Sequence, residues 1–386
     1  MMGKQLQLKH LPVLFLVTRI ILILSLPLEG IQGYGDFWNF YQQNLLGLPF
    51  LDYWTEFPPL FPLLSSLVFR LVGGREQAYI YLLAMFFSAA QAGTLAVFLR
   101  LKKVIVTGDL SSWREGWYFA LTVGLFYGWA YYDPLAVFFL MAALYWYLKG
   151  FSLRSGAAIA VGTLTKWFPA LVLPAIWRSQ KGKRRWVYLI SVAAVVLIVW
   201  ILLWAISPDF TAASLISQGQ KGSWETLWAL IDGNLTTGLF HAGADRTDPL
   251  SAAVRTGNTP AIPPWLTLLF FGGLGVWILF QVELENAHQI ASFTALTQVL
   301  FFLWSPGYSP QWILYLLPFF FLCLPKREAI LFGLTMVLIH LLEWPVLLSR
   351  GWFWSLNYLI PLRTLLMGLA GIRFYQLINV NHKENS

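Results

Sequence analysis

Apolar runs that approach the length of a bilayer span recur along this chain from Leu11 to Tyr375. A single helical crossing of a bilayer needs roughly 20 consecutive apolar residues. Only 11% of the 386 residues are charged, less than half of the roughly 25% that is usual in a soluble domain. The runs are continuous rather than alternating, which argues against a transmembrane β-barrel. The sequence therefore predicts an all-α, polytopic transmembrane bundle, in a single integral-membrane domain over residues 1–386.

We expect about ten full spans, joined mostly by short connections. The predicted spans are 11–28, 77–99, 116–132, 134–148, 186–206, 264–281, 288–304, 311–324, 328–348 and 355–375. Residues 59–72 follow a proline pair and are expected to form a helix near the membrane interface. Residues 155–177 lie between two basic loops and are too few to cross a core of roughly 30 Å twice at about 1.5 Å per residue. We therefore expect a re-entrant hairpin there, broken at Lys166.

The distribution of charge predicts the orientation in the membrane. The chain has 26 basic and 18 acidic residues, a formal net charge of +8. Most basic residues fall on the side of the N-terminus, whereas acids are common in two long segments, 29–76 and 207–262. Because basic loops stay inside, we expect a multi-pass protein of the inner (cell) membrane with both termini cytoplasmic and both long segments extracytoplasmic. This explanation of the net charge requires no nucleic acid.

The first long segment carries the clearest candidate chemistry. It holds the carboxylates of Asp36, Asp52 and Glu56 among aromatic residues, directly after a predicted span. A carboxylate at the mouth of a low-dielectric cavity can act as a general base, because partial desolvation raises its pKa toward neutrality. Aromatic rings suit the faces of sugars. The alternative is a hydrated loop whose aromatic residues lie at the membrane interface.

Short motifs in this segment and beyond resemble those of the GT-C superfamily of membrane glycosyltransferases. In the first segment they are Tyr-x-Asp-(x4)-Tyr from residue 34, Gly-x-Pro-(x2)-Asp from residue 47 and Glu-Phe-Pro-Pro-Leu from residue 56. Later in the chain they are Asp-Pro-Leu at 133–135, a Lys-x-x-Pro hairpin at 162–169 and a loop at 305–312. Their order is similar to that of the bacterial branch that uses polyprenyl-phosphate sugars, whose best-known members are mannosyltransferases.

The resemblance implies an inverting enzyme that moves a hexose, with mannose favoured, from a polyprenyl-phosphate-linked donor to a lipid or glycan acceptor. It implies that Asp36 is the general base. Family members often have a second acid beside this one, whereas the next residue here is Phe37. The residues expected to line the substrate cleft are Tyr34, Asp52, Trp54, Glu56 and Gln311.

Two basic residues at membrane depth are candidates for binding the donor phosphate. Lys166, at the tip of the hairpin, can present its ammonium group to a cavity, although it can also snorkel to the interface. Arg363, inside the last span, can bind phosphate in a bidentate manner or pair with Glu343. His340 shares a helical face with Glu343, and we expect a satisfied buried pair there rather than a metal site. We expect Asp133 to complement a helix dipole.

Within the second long segment, residues 223–231 predict an amphipathic helix that rests on the membrane interface. Ser223 is its predicted N-cap, and apolar residues share one of its faces.

A transporter or lipid-linked-sugar flippase is the alternative function. It predicts charged residues distributed through the spans and two repeated halves, neither of which the sequence displays. The sequence contains no metal-ligand cluster and requires no cofactor, although it leaves room for a divalent cation. The expected partners are the polyprenyl-phosphate sugar, the lipid or glycan acceptor and membrane lipids.

Overall fold

A computed structural model of the chain describes residues 10–32, 35–106, 111–238 and 244–379. Within these ranges the regular structure is helical, with three isolated β-bridges and no strand. The α-helices are α1 (Leu11–Ser25), α2 (Leu28–Gln32), α3 (Phe37–Leu45), α4 (Leu60–Leu71), α5 (Glu76–Ile105), α6 (Trp113–Val123), α7 (Tyr127–Ala130), α8 (Asp133–Leu148), α9 (Ser152–Thr165), α10 (Leu173–Ser179), α11 (Arg184–Ile206), α12 (Pro208–Gln220), α13 (Leu227–Asp232), α14 (Pro264–Gln281), α15 (Ala287–Trp304), α16 (Ile313–Cys323), α17 (Lys326–Leu341) and α18 (Leu356–Asn379). This agrees with the predicted all-α class.

Five helical stretches of the described chain are long and apolar enough to cross a membrane. They are Glu76–Ile105, Arg184–Ile206, Pro264–Gln281, Lys326–Arg350 and Phe353–Asn379. Each of them covers most or all of a predicted span. The other predicted spans correspond to helices that are shorter or less apolar.

The predicted span 116–132 is wrong as a continuous helix. Helix α6 ends at Val123, and the single turn Tyr127–Ala130 follows after a break. The break brings the backbone of Ala130 and Tyr132 against the first long segment, where it holds Asp36.

Helices α11 and α14 have wide apolar surfaces that no other part of the described chain covers. Only 11% of the most apolar window of each helix is buried. Ile190 and Ile201 on α11, and Leu269 and Phe270 on α14, are each more than 60% exposed. An apolar surface of this extent suits contact with lipid rather than with water.

The centre of the molecule is formed by α8, which packs against α5 on one side and α9 on the other. A second packed group joins α15 to α18, and every residue of α16 is buried. Helix α9 ends at Thr165, and Lys166 has an extended backbone. The chain then turns back, so that Pro169 in the next helical turn packs against Gly162. A Cβ added at Gly162 would lie 2.8 Å from the proline ring. The turn directs Lys166 toward the first residue of α8.

The predicted helix 223–231 begins later than expected. Helix α13 starts at Leu227, and its cap is Thr226, whose hydroxyl accepts a hydrogen bond from the Ala229 N–H. Ser223 instead donates its hydroxyl to Asp232. The reason is tertiary: the backbone of Trp224 pairs with residues 306–308, which keeps residues 223–226 out of the helix.

Candidate active site

Asp36 lies directly before α3 and is held by the connection between α7 and α8. Its N–H donates to the carbonyl of Ala130 at 2.9 Å, and its Oδ2 accepts the N–H of Tyr132 at 3.1 Å. Gly35 precedes it with φ +91°, and a Cβ there would lie 2.1 Å from the Ala130 carbonyl oxygen. Only glycine fits this close approach and this dihedral angle without strain. The Asp36 carboxylate is thereby fixed over the start of α8.

An ion pair between Asp133 and Lys166 lies beside Asp36. The Lys166 Nζ is 2.7 Å from the Asp133 Oδ1, and Asp133 is completely buried. The same Nζ lies 4.9 Å from the ring centre of Tyr132, 5.3 Å from that of Phe168 and 5.5 Å from that of Trp312. Aromatic faces favour a cation at these distances. Asp133 therefore does more than complement the dipole of α8, because it also positions the lysine.

The surroundings of Asp36 favour a general base. Burial, and after it the negative charge of Asp133, raise the pKa of Asp36 from its ordinary value to about 7. Lys166, the Tyr132 N–H and Lys221 act in the opposite direction on this pKa. A carboxyl group that titrates near neutral pH is suited to accept a proton under physiological conditions.

Glu56 joins the two long segments through two cations of the second. Its Oε2 is 2.6 Å from Arg246 Nη1, and its Oε1 is 3.6 Å from Lys221 Nζ. Burial alone would raise the pKa of Glu56, but Arg246 and Lys221 outweigh it and hold the pKa at about 2. Burial lowers the pKa of Lys221. Glu56 is therefore a fixed anion that organises the two cations, and it is poorly suited to be a base at neutral pH.

Aromatic rings connect the Asp133–Lys166 pair to the Glu56 cluster. The ring of Tyr132, which lies beside Lys166, is 5.7 Å from the ring of Phe57. The Phe57 ring in turn lies 5.7 Å from Lys221 Nζ. The two charged groups thus belong to one contiguous region, formed by the first long segment, the start of α8, the end of α9 and the second long segment.

The other residues predicted for the substrate cleft have different surroundings. Asp52 is exposed, and its Oδ2 accepts the Leu48 N–H at 2.7 Å within a turn. Trp54 is completely buried, and its indole N–H donates to the second long segment, with the Asp248 carbonyl at 3.1 Å. Gln311 is half-buried in the turn before α16. Tyr34 lies outside the described residues. Trp54 thus joins the two long segments, while the predicted cleft roles of all four remain predictions.

Arg363 belongs to a separate buried cluster. Its guanidinium group pairs with Glu343, donates to the carbonyl of Glu225 and lies 4.2 Å from the ring centre of Tyr308. The Tyr308 hydroxyl is 2.8 Å from His340 Nε2. The pairing with Glu343 is the alternative that the sequence left open for Arg363.

A cavity of about 90 Å³ lies beside this cluster. It is lined by Arg363 and Glu225, by the hydroxyl-bearing residues Thr226, Tyr308 and Thr364, and by apolar and aromatic side chains. Burial raises the pKa of the Glu225 carboxyl well above its usual range. Glu225 also has a positive φ of +49°, an uncommon conformation for a residue with a side chain.

Sequence reasoning missed three residues of the charged region. Asp133 was noted in the Asp-Pro-Leu motif but was expected to complement the helix dipole, and Lys221 and Arg246 were not identified as site residues. A signal for the last two was present, since they are basic residues in a long segment where acids are common. Their partner Glu56 lies more than 160 residues away, and no local pattern specifies that pairing.

Among the described residues, no group of three or more His, Cys, Asp or Glu side chains is arranged to hold a metal ion. No protein-family model matches the chain, and no curated protein or solved structure matches it either. The described chain is thus an all-helical protein with five potential membrane-spanning helices and a charged region rich in aromatic residues.

Proposed function

We propose that the chain is an inverting membrane glycosyltransferase with a GT-C-like bundle of about ten spans. It transfers a hexose, with mannose favoured, from a polyprenyl-phosphate-linked donor to a lipid or glycan acceptor. The observation that carries the proposal is the contact of Asp36 with the start of α8, where Asp133 holds Lys166 among aromatic rings. This arrangement brings a carboxylate with a pKa near neutrality close to a cation that can face a phosphate.

The reaction uses these groups in one displacement. The acceptor hydroxyl oxygen attacks the anomeric carbon and transfers its proton to Asp36. The bond between that carbon and the phosphate oxygen breaks, and polyprenyl phosphate leaves with the electron pair. Lys166 stabilises the charge that develops on the leaving phosphate. Attack from the face opposite the leaving group inverts the anomeric configuration.

Arg363 remains a second candidate for binding the donor phosphate. To bind it, either cation would have to give up part of an existing ion pair. Both cations already have carboxylate partners, Glu343 for Arg363 and Asp133 for Lys166. The Lys166 side chain is 12% exposed, whereas that of Arg363 is 1% exposed. Lys166 is therefore the more accessible of the two, and we assign it the main contact with the phosphate.

The proposed orientation has both termini cytoplasmic and the charged region extracytoplasmic. It follows from the excess of basic residues in the short connections and from the acids of the two long segments. A lipid-linked donor suits this side of a membrane, because its polyprenyl chain can lie against apolar helices such as α11 and α14.

A transfer assay tests the proposal. Purified protein in lipid vesicles is offered a panel of radiolabelled polyprenyl-phosphate sugars, with membrane lipid extract as acceptor. We expect turnover by the wild type and a loss of roughly 10²–10⁴-fold in Asp36→Asn, the usual contribution of a general base. Asp209→Asn is the matched control, because Asp209 is exposed in the first turn of α12 and should leave turnover unchanged.

The remaining outcomes contradict the proposal in different ways. Equal turnover by the wild type and Asp36→Asn would remove Asp36 from the mechanism. Movement of an intact lipid-linked sugar across the vesicle membrane, without transfer and without dependence on Asp36, would favour the flippase alternative.

A further inference from the structure

An open, polar cleft of about 410 Å³ lies within the second long segment. We call it the loop cleft; its walls come from residues 221–224, 233–238 and 256–258. Its volume lies in the range of roughly 300–1,000 Å³ that is typical of small-molecule sites. The charged region described above reaches it through Lys221, which lines the loop cleft and also faces Glu56.

The walls of the loop cleft are held by hydrogen bonds among themselves. The Asn234 side chain donates to the Ser223 hydroxyl at 2.9 Å and accepts the Asn258 N–H at 2.9 Å. The Thr256 N–H donates to the Gln220 carbonyl at 3.0 Å, and a Cβ on Gly222 would lie 2.3 Å from the Thr256 carbonyl oxygen. A site with this degree of internal bonding is preorganised, which reduces the entropic cost of binding a ligand.

One wall is formed by Trp224, whose indole is tightly enclosed. A Cβ on Gly238 would lie 2.4 Å from the indole nitrogen, and a Cβ on Gly307 would lie 2.2 Å from the far edge of the ring. The indole N–H donates to the Ser309 hydroxyl at 3.2 Å. Two glycines therefore accommodate a large, fixed aromatic side chain at the side of the loop cleft.

The chemistry of the lining excludes strongly charged ligands. Of the described residues that line the loop cleft, Lys221 alone is charged, and the others carry hydroxyl, amide, indole or aliphatic groups or are glycines. The Lys221 ammonium group already donates to the Gly238 carbonyl at 2.9 Å and lies 3.6 Å from Glu56, so it has little capacity to neutralise a phosphate. The absence of a carboxylate from the described part of this lining disfavours a cation.

The free hydrogen-bonding groups suit a ligand with several hydroxyls. Thr236 is exposed, and its hydroxyl makes only a long bond of 3.3 Å to the neighbouring carbonyl. Thr237 lines the loop cleft next to it. Neutral donors and acceptors beside an aromatic wall are the groups that recognise sugars, whose hydroxyls need partners and whose C–H faces contact rings.

The loop cleft also has a direct relation to the proposed base. Lys221 lies 5.7 Å from the ring of Phe57, which packs beside Tyr132, the residue whose N–H donates to Asp36. Trp224 lies 6.5 Å from Trp312, which is adjacent to Lys166. Packed side chains thus connect the walls of the loop cleft to the surroundings of both Asp36 and Lys166.

We propose that the loop cleft binds a neutral saccharide portion of the acceptor, so that the hydroxyl presented to Asp36 belongs to a glycan or glycolipid. This inference rests on the proposed glycosyl transfer and specifies the acceptor class for that reaction. A peptide side chain and an anionic phospholipid headgroup are the acceptor classes that it excludes.

Direct binding tests the inference separately from turnover. The full chain is placed in lipid nanodiscs free of glycolipid, and saturation-transfer NMR measures the affinity for a panel of methyl glycosides and neutral disaccharides. We expect binding by the wild type and a loss of at least tenfold in Thr236→Phe/Thr237→Phe, whose rings fill the loop cleft. If that variant fails to fold, Thr236→Val/Thr237→Val replaces it. This second variant removes the hydroxyls, keeps the size of the side chains and should also weaken binding.

Two controls separate this inference from the proposed function. Thr259→Phe introduces the same ring at an exposed position outside the lining and should keep the wild-type affinity. Asp36→Asn should bind saccharides as the wild type does while losing transfer. Saccharide binding without any transfer would contradict the proposed glycosyltransferase activity and support the saccharide site.

Three results would overturn the inference itself. They are an absence of saccharide binding by the wild type, equal affinity in the folded Thr236/Thr237 variants, and displacement of the saccharide by glycerol phosphate. Transfer that depends on Asp36 but is unaffected by the Thr236/Thr237 variants would support the proposed activity and contradict the acceptor site in the loop cleft.

Discussion

At the scale of single residues, Asp36 shows how tertiary contacts can override a local rule. An aspartate directly before a helix commonly caps it by accepting a hydrogen bond from the first turn. The Asp36 side chain makes no such bond to α3 and instead accepts the Tyr132 N–H from the start of α8. The carboxylate is thereby turned toward Asp133 and Lys166, whose charges act on its pKa in opposite directions.

The pH dependence of transfer should follow the charges around Asp36. Because the carboxylate form of Asp36 is the proposed base, transfer should rise with pH through about 7. Asp133→Asn removes a negative neighbour and should move the rise to lower pH, whereas Lys221→Gln removes a positive neighbour and should move it to higher pH. The measurement is the midpoint of kcat/KM against pH, with Asp209→Asn as the control. An unchanged midpoint in both variants would show that these charges do not act on the base.

The raised pKa of Asp36 also predicts an effect on stability. Between pH of about 4 and 7 the folded protein keeps a proton on Asp36 that the unfolded chain has lost, so this group lowers the free energy of unfolding as the pH rises. Asparagine cannot ionise and removes that effect. Asp36→Asn should therefore raise Tm relative to the wild type more at pH 8 than at pH 4.5. Differential scanning fluorimetry in detergent measures this, and an equal Tm difference at both pH values would contradict it.

At the scale of elements, breaks in helices create the charged region. Helix α9 ends at Thr165, and the chain turns back at Lys166 so that its ammonium group reaches the first residue of α8. The second long segment is connected to the first by the Glu56–Arg246 ion pair and by the Trp54 indole. Long segments that would otherwise be independent loops thus form one surface over the helices.

The Arg363–Glu343 pair connects α18 to the irregular turn after α17, and its removal should separate a structural role from a role in binding. Breaking a buried pair leaves one unpaired charge, at a cost of about 3–5 kcal/mol. We therefore expect Arg363→Met to destabilise the fold, and Arg363→Met/Glu343→Leu to recover much of the loss. Tm and donor KM are measured together. A folded double variant with an unchanged donor KM would exclude Arg363 from phosphate binding, and a large rise in KM would support it.

At the scale of the whole molecule, the exposed apolar surfaces indicate which helices face lipid. The most apolar windows of α11 and α14 are each 11% buried, whereas the most apolar window of α5 is 56% buried. The molecule therefore has an interior built from α5, α8, α9 and α16 and a periphery that matches lipid. The polar loop cleft and the charged region lie on segments outside the five long helices.

Cysteine labelling tests the proposed orientation of these segments. The chain has a single cysteine, Cys323, which is buried and can be replaced by serine to give a background without thiols. In that background Leu250→Cys, at an 81% exposed position of the second long segment, should react with an impermeant maleimide on intact cells. Lys181→Cys, in the connection between α10 and α11, should react only after permeabilisation. The reverse pattern would invert the proposed topology.

The sequence by itself determined the all-helical class and the five apolar stretches that are long enough to cross a membrane, because these depend on hydrophobicity along short stretches of chain. It also grouped the carboxylates of Asp36, Asp52 and Glu56 in one segment, and the resemblance to the GT-C motifs, not the local pattern, singled out Asp36 as the candidate base. Only the tertiary structure decided which charges meet. Asp133 and Lys166 are 33 residues apart, and Arg246 and Glu56 are 190 residues apart. Such pairs form where separate elements pack together, and the same packing buries Trp54 between the long segments and keeps Trp224 out of α13. Local pattern cannot specify these contacts, since their energies arise only when distant parts of the chain share one desolvated site.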